Sequence, residues 1–207
     1  MTLPSSGFTI VSSAADYRRR LAVNGERELV DLAVLIPEIV LDLRFATAHN
    51  VLGRPLYSQA RALLRRPVAE ALQGVQQVLR EWGLSLCVFD AYRPYSLTRV
   101  LAQDSGTVKT ATSPWNSLPR NRGCAVDVGL VEVATRRPVP LPTDFGEELP
   151  AAHSGFGQLP PHVLFNRSVL LAAMKQQGFQ NYPGQWWHFA HHRWPDFDLL
   201  DLPFEEL

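Results

Sequence analysis

Three short segments of the chain place charged or polar side chains at the end of an apolar run or inside one. Residues 90–94 (DAYRP) follow the apolar run 84–89, and residues 185–188 (QWWH) end in a histidine beside two tryptophans. Between them, residues 120–127 (RNRGCAVD) put an aspartate into a stretch that is otherwise apolar. Carboxylate, guanidinium and imidazole groups serve in acid–base chemistry, anion binding and metal binding. The three segments are therefore the first candidates for a functional site.

Asp127 gives the strongest of these signals. A carboxylate within the apolar run 124–130 (CAVDVGL) needs a cation, a metal ion or several hydrogen-bond donors, because an unpaired buried charge is costly. An ion pair with Arg120 or Arg122 would satisfy it without any further function. The residue types thus leave a structural ion pair and a functional site both open.

The other two segments have simple structural interpretations as well. Arg93 can form an ion pair with Asp90, which lies three residues earlier in the same turn. A histidine between aromatic residues, as His188 is, more often belongs to the core than to a ligand site. None of the three segments decides the function alone.

Helices and strands interspersed with long loops must position these segments. Apolar periodicity and short apolar runs predict helices at residues 14–23, 67–82, 97–102 and 167–177, strands at 39–45, 84–89, 124–130 and 185–190, and long loops at 104–121 and 135–162. Gly83 and Gly178 are expected to end two of the helices, and Asn166 is a candidate N-cap. The strict strand–helix alternation of a doubly wound sheet is missing. We therefore predict a single α+β domain over residues 28–207, with a small central, largely antiparallel sheet, after an N-terminal arm over residues 1–27.

Composition excludes several classes of function. The 207 residues are 46% hydrophobic and 19% charged, which is enough to build a core and argues against disorder. Twenty Lys and Arg balance twenty Asp and Glu, so a basic surface for nucleic acid is not expected. We see no apolar run of membrane-spanning length and no signal peptide, and we expect a cytoplasmic protein with no nucleic-acid or membrane partner. Cys87 and Cys124 form no metal-binding pair and are expected to be buried thiols.

Taken in order, the three segments resemble the D-alanyl-D-alanine dipeptidases of the VanX type. These are M15-family zinc peptidases related to the DD-carboxypeptidases and to the Hedgehog-like fold. In that family a strand ends in Asp-Gly-Tyr-Arg-Pro, where this chain has DAYRP at 90–94. A Ser-x-His-x-x-Gly-x-Ala-x-Asp segment follows, which residues 118–127 (LPRNRGCAVD) match from Gly123 on, and Glu-Trp-Trp-His then corresponds to residues 185–188. The resemblance extends over roughly residues 28 to 200 and implies a Hedgehog/DD-peptidase-like fold and a small dipeptide-like substrate.

Two positions depart from the family's chemistry. The family binds zinc through the first His, the Asp and the last His of these motifs, and the matching residues here are Arg120, Asp127 and His188. Arginine has no free lone pair for a metal, and its fixed positive charge would repel one. The family's general base is the Glu of Glu-Trp-Trp-His, and Gln185 stands there, whose neutral amide cannot accept a proton from a metal-bound water. The retained residues include Arg93, which in the family helps to polarise the substrate.

Three functional interpretations stay open. The first, which we prefer, is a repurposed, zinc-independent enzyme acting on a small amino-acid, peptide-like or carboxylate metabolite. The second is a metal-dependent dipeptidase in which a nearby histidine supplies the missing ligand and Glu147 or Glu148 replaces the base; the candidates are His153, His191 and His192. The third is a non-catalytic ligand-binding relative.

The preferred interpretation assigns a role to each matched residue. Arg93, Asp127 and His188 are the predicted catalytic residues, with proton transfer running through His188, whose charge normally changes near neutral pH. The predicted substrate-binding residues are Tyr92, Arg120, Gln185, Trp186 and Trp187. No metal or other cofactor is expected; if zinc is retained, Asp127 and His188 are its remaining ligands. We further predict that Arg120 pairs directly with Asp127 in the space that zinc would occupy, and that Arg93, Asp127 and His188 lie within about 10 Å of one another.

Overall fold

The computed structural model describes residues 9–104 and 114–207. Its helices and strands follow in the order β1 (Ile10–Val11), α1 (Ala14–Val23), β2 (Leu29–Asp31), α2 (Leu32–Leu35), β3 (Val40–Leu41), β4 (Leu63–Arg65), α3 (Arg66–Arg80), β5 (Leu84–Asp90), α4 (Tyr95–Asp104), α5 (Pro114–Asn121), β6 (Ala125–Glu132), α6 (Pro161–Gln176), β7 (Phe179–Asn181), β8 (His188–His191) and β9 (Leu199–Leu200). Helices and short sheets are thus mixed along the chain, as the α+β prediction requires.

The central sheet has five strands in the order β3-β5-β6-β8-β7. β3 runs parallel to β5, and the other neighbours are antiparallel. The register places Asp90 opposite Asp127, and Asp127 opposite His188. Residues directly opposite each other on neighbouring strands present their side chains to the same face. The sheet therefore aligns a residue from each of the three sequence segments in one row.

Helix α3 forms because its apolar residues recur on one face. Its buried residues include Val68, Leu72, Val75 and Leu79, a spacing that matches the helical repeat. Pro67 lies in the first turn, where proline is tolerated, and the chain turns away just after the helix at Gly83, whose φ is +69°. The buried face packs against β5 and α6, so the helix covers one side of the central sheet.

The described part of the segment predicted as an N-terminal arm packs against the rest of the chain. β1 pairs in parallel with β9, and the buried Tyr17 of α1 accepts a hydrogen bond at its hydroxyl from the backbone N–H of Leu29 at 2.7 Å. Arg20 and Arg27 both form ion pairs with Asp198. This part of the chain is thus tied to its C-terminal region. The boundary between arm and domain at residue 28 stays a prediction.

The structure corrects four details of the predicted elements. Residues 114–121, predicted as part of a loop, form α5, where tertiary contacts of the buried Leu118, Arg120 and Asn121 override the Ser-, Asn- and Pro-rich composition. Asn166 is not an N-cap: α6 begins at Pro161, because proline is favoured in a first helical turn, and the Asn166 amide instead donates to the Pro140 carbonyl.

The third correction concerns the strand predicted at residues 185–190. It begins only at His188 in β8, because the preceding residues form a turn in which the Gln185 N–H donates to the Tyr182 carbonyl. Similarly, the strand predicted at 39–45 is reduced to β3, since the chain turns into a short 3-10 helix at Arg44–Ala46. Gln185 is thus held in a turn rather than in the sheet.

Both cysteines are buried free thiols, as predicted. Burial raises the pKa of Cys87 and of Cys124 to about 12, so neither thiol is a reactive nucleophile at neutral pH. No helix in the described ranges has both the length and the apolar character needed to cross a membrane.

Candidate functional site

The central site is built where β5, β6 and β8 present their row of polar residues to the end of α5. Gly123, with a φ of +71°, lets the chain leave α5 and enter β6 within a few residues, and its N–H donates to the Arg120 carbonyl at 3.0 Å. Asn121 ties α5 to the turn after β5, since its amide donates to the Arg93 carbonyl at 2.8 Å and to the Thr98 hydroxyl at 2.7 Å. The backbone thus brings Arg120 over the sheet row and beside Arg93.

Arg120 lies between Asp127 and His188. Its Nη2 atom is 2.5 Å from Asp127 Oδ1 and 2.9 Å from His188 Nδ1. The same His188 nitrogen is 2.7 Å from Asp127 Oδ1. In one tautomer Nδ1 donates to Asp127, and in the other it accepts from Arg120. The predicted direct pair between Arg120 and Asp127 is therefore confirmed.

Asp90 is the centre of a second, connected network. It is fully buried and accepts hydrogen bonds from Arg93 Nη2 at 2.5 Å, from the Tyr57 hydroxyl at 2.7 Å and from the Ala91 N–H at 3.0 Å. The Tyr57 hydroxyl in turn accepts from Arg93 Nε at 2.9 Å. Arg120 Nε lies 3.3 Å from Asp90 Oδ2 as an ion pair. Asp90 thus lies between both arginines, and the predicted proximity of Arg93, Asp127 and His188 within one cluster is confirmed.

Electrostatics keep the charges of this cluster in place. Burial raises the pKa of Asp127, but the positive charge of Arg120 and the hydrogen bond with His188 outweigh it, so the pKa lies below its ordinary value. Burial by itself lowers the pKa of Arg93, yet Tyr57 and Asp90 together hold it above its ordinary value. Burial also raises the pKa of Tyr57, which stays a neutral hydrogen-bonding phenol. Asp127 and Arg93 are therefore both charged at neutral pH.

A cavity of about 440 Å³ opens next to this cluster. Its charged lining comes from three arginines and four acids: Arg44, Arg93, Arg120, Asp127, Asp144, Glu147 and Glu148. The volume suits a small metabolite or a dipeptide-sized ligand. The long loop after β6 contributes the acids at 144–148, so both the sheet and a loop shape the pocket.

The predicted ligand-binding residues divide into two groups. Gln185 and Trp187 line the cavity, as Arg120 does. Tyr92 does not: its hydroxyl donates to the Leu202 carbonyl at 2.9 Å inside the core. Trp186 also points elsewhere, and its indole N–H donates to the Thr143 hydroxyl at 3.0 Å. Both of these side chains are committed to protein contacts, which explains why they do not reach the cavity.

His188 is likewise outside the cavity lining. It is buried beneath Arg120, whereas Asp127, Arg120 and Arg93 all reach the cavity wall. Of the three predicted catalytic residues, Arg93 and Asp127 thus line the cavity and His188 does not.

The histidines considered as substitute metal ligands lie away from the cavity lining. His153 is exposed and accepts the Gly155 N–H at 3.1 Å, and His191 is buried with its ring against Phe179. His192 is exposed and lies next to the His191 ring. Within the part of the chain that the structure describes, no group of three His, Cys, Asp or Glu side chains could hold a metal ion.

The residues around Asp127 and His188 do not fit a zinc ion. A zinc ion bound to both side chains would lie about 2 Å from each ligating atom. The Arg120 Nη2 atom already lies 2.5 Å from the Asp127 oxygen and 2.9 Å from the His188 nitrogen. A guanidinium and a dication cannot share this space, because they would overlap sterically and repel each other electrostatically.

The sequence profile of the M15 peptidases, described as D-ala-D-ala dipeptidase, matches residues 25–198. The chain belongs to this family. The D-alanyl-D-alanine dipeptidase of Escherichia coli is 31% identical over 173 residues, which is 84% of this chain and 89% of the relative. The enzymes of the same name from Enterococcus faecalis and Enterococcus faecium are 27% and 24% identical, over 80% and 72% of this chain and 88% and 84% of theirs. The resemblance drawn from the three motifs is confirmed.

Sequence reasoning missed the support of Arg93 and part of the cavity wall in this M15 family member. Tyr57 comes from a segment with no apolar periodicity, and no local signal connects it to Asp90 and Arg93. Arg44 and Asp144, which form an ion pair at 3.5 Å in the cavity wall, come from two segments about 100 residues apart. Asp90 carried a usable signal, since a charge ends an apolar strand there, but its contact with Arg120 depends on the fold.

Proposed function

We propose that this M15 family member uses its pocket without zinc, for a small amino-acid, peptide-like or carboxylate-bearing metabolite, on a Hedgehog/DD-peptidase-like scaffold. The observation that carries the proposal is the Arg120 guanidinium between Asp127 and His188, at 2.5 and 2.9 Å. Arg120 thus supplies, between Asp127 and His188, the positive charge that a metal ion supplies at these positions in the family pattern.

Charge balance supports this interpretation. In the family pattern a Zn²⁺ ion and the glutamate base contribute a net charge of one positive unit to the site. In this chain Arg120 contributes one positive charge and Gln185 contributes none, so the net charge is the same. A single substitution at either position would change that balance, whereas the two together preserve it. The pair of substitutions therefore fits a site that is organised around a guanidinium.

The cavity wall supports a small zwitterionic or carboxylate-bearing ligand. Arg93 and Arg120 line one part of the wall together with Asp127, and Asp144 and Glu147 line another part together with Arg44. Groups of both signs can pair with a molecule that carries a carboxylate and an ammonium group. Because His188 is not part of the cavity lining, ligand binding is supported more directly than the predicted proton transfer through His188.

A second candidate is a zinc-dependent D-alanyl-D-alanine dipeptidase. It is favoured by the names of the relatives and by the contact of Asp127 with His188, the two zinc-ligand positions that this chain retains. In this case Arg120 would have to leave its position and a third ligand would have to come from elsewhere.

Metal content and a pair of reversions test the proposal. Protein purified without chelator should contain far less than one equivalent of zinc. Gln185→Glu alone should leave it zinc-free and without D-Ala-D-Ala hydrolysis, because Arg120 still occupies the metal position. The double variant Arg120→His/Gln185→Glu should bind zinc in a calorimetric titration. Arg19→His, which adds a histidine at an exposed position, is the matched control and should bind none.

The same experiment separates the two candidates. Stoichiometric zinc in the parent that disappears in His188→Ala would support the dipeptidase and refute the metal-independent site. Hydrolysis recovered by Gln185→Glu alone would do the same, since it would show that a metal had been bound throughout.

A further inference from the structure

We propose that Arg93 and Arg120 form a two-arginine clamp for a single carboxylate of the ligand, and that Asp90 is the residue that positions both guanidinium groups. The inference rests on the metal-independent site proposed above and specifies which part of the ligand binds where. Both arginines are buried, with 1% and 6% of their surface exposed, and both line the cavity.

The hydrogen bonds of the two guanidinium groups leave one terminal nitrogen on each for a ligand. Arg93 uses Nε for Tyr57 and Nη2 for Asp90. Arg120 uses Nη2 for Asp127 and His188, and its Nε faces Asp90. In both cases Nη1 makes no hydrogen bond to another residue of the described chain. Two buried guanidinium groups that line one cavity thus each keep N–H groups that the described residues do not use.

A carboxylate matches these donors better than other anions. It is planar, carries one charge and accepts parallel hydrogen bonds from guanidinium groups. Around the cavity, four acids outnumber three arginines, so a dianion such as phosphate would meet net repulsion. A monocarboxylate, or a zwitterion whose ammonium group faces the acids of residues 144–148, meets less repulsion. The wall therefore favours a singly charged or zwitterionic carboxylate over phosphate.

Asp90 holds the clamp together although it does not line the cavity itself. It contacts Arg93 at 2.5 Å and Arg120 at 3.3 Å, so one carboxylate keeps two like charges side by side. Tyr57 fixes the plane of Arg93, because its hydroxyl accepts from Nε while donating to Asp90. The Arg93 guanidinium also lies 4.5 Å from the centre of the Phe45 ring. Asp90 and Tyr57 are therefore positioning residues rather than ligand contacts.

Paired acid and amide probes test the clamp in buffer with a chelator. Acetate and D-alanyl-D-alanine should bind saturably in NMR titrations. Acetamide and the C-terminal amide of the dipeptide should bind about 10-fold more weakly or worse, since they lose a charge-assisted hydrogen bond. Inorganic phosphate should bind more weakly than acetate.

Variants assign that preference to named residues. Arg93→Gln and Arg120→Gln should each reduce the preference for acid over amide to about 2-fold or less. Tyr57→Phe should reduce the preference for acid over amide by about 3-fold without weakening the binding of the amide probe. A general loss of structure would weaken the binding of both probes. Arg19→Gln, at an exposed position, should keep the parent's preference.

Where a glutamine variant does not unfold cooperatively, the lysine variant replaces it. Lysine keeps the charge but loses the planar fork, so a preference reduced at least about 3-fold supports the clamp and an unchanged one contradicts it.

Several results would overturn the clamp. These are equal binding of acids and amides, no saturable binding of acetate or the dipeptide, tighter binding of phosphate than of acetate, and a preference that survives in both arginine variants. Zinc is measured in the same protein before the chelator is added. A zinc-free protein without the acid preference would refute the clamp alone, whereas stoichiometric zinc would refute the proposed function as well.

Discussion

Replacing Arg120 by methionine tests whether its charge holds the buried site together. Methionine keeps much of the bulk and removes the charge, which leaves Asp127 with His188 as its partner. The side chains of Arg120 and Asp127 are 7% and 5% exposed, so solvent cannot take over the role of the guanidinium. Breaking a buried pair by removing one partner costs roughly 3–5 kcal/mol. We expect Arg120→Met and Arg120→Ala to be destabilised by about that amount, which is about 6–20 °C in melting temperature for a chain of this size.

Urea unfolding with a chelator present measures the loss of stability. A double variant shows how much of that loss comes from the unpaired charge of Asp127. Arg120→Met/Asp127→Asn removes the stranded charge as well, so it should recover about 1–3 kcal/mol relative to the single variant. Arg80→Met is the matched control: it removes an arginine that is 62% exposed and paired with Glu38, and it should cost no more than about 1 kcal/mol.

Unchanged stability of the Arg120 variants would contradict this prediction. If Arg120→Met and Arg120→Ala both unfold within about 1 kcal/mol of the parent, and the double variant recovers nothing, another group satisfies Asp127. The guanidinium would then not replace the metal's charge. Stability of Arg120→Ala that returns only when zinc replaces the chelator would instead show that a cation takes the place of the guanidinium, which the proposal allows.

Two further predictions concern the frame of the site and its response to pH. Gly123→Ala should cost about 1–3 kcal/mol in urea unfolding, because the φ of +71° disfavours a side chain and the new Cβ would lie 2.6 Å from Leu29 Cδ2; Gly157→Ala, where nothing lies within 4 Å, should be nearly neutral. Burial, with help from nearby positive charge, lowers the pKa of His191 to about 4. The unfolded chain, with a histidine pKa of about 6.5, therefore binds more protons between these values, and stability should fall as the pH drops from about 6.5 toward 4. His191→Asn should flatten that part of the pH profile of unfolding, whereas the exposed His162→Asn should not; an unchanged slope in His191→Asn would refute the assignment.

Elements with strong periodicity could be predicted from the sequence. The helix at 67–82 and the strand at 84–89 correspond to α3 and β5, since their burial depends on local spacing of apolar residues. α5 could not be predicted, because its Ser, Asn and Pro residues favour a loop and only its contacts in the fold compensate. The start of α6 could not be predicted either, because prolines are common both in loops and in the first turn of a helix.

For the site, residue types and tertiary structure decided different things. The sequence alone was sufficient to identify the three segments, the family and the chemical mismatch of Arg120 and Gln185 with zinc, because ligand and base chemistry depends on side-chain type. A carboxylate in an apolar strand needs a cation, which left Arg120 and Arg122 as partners of Asp127, and the resemblance to the family selected Arg120.

Only the tertiary structure decided which groups reach a ligand. The strand register aligns Asp90, Asp127 and His188 in one row, and the end of α5 then lays Arg120 over His188. The same packing turns Tyr92 into the core and brings Tyr57 to Asp90. These contacts join segments far apart in the chain, and their geometry depends on how sheet, helix and loop pack together, which no local pattern of residues encodes.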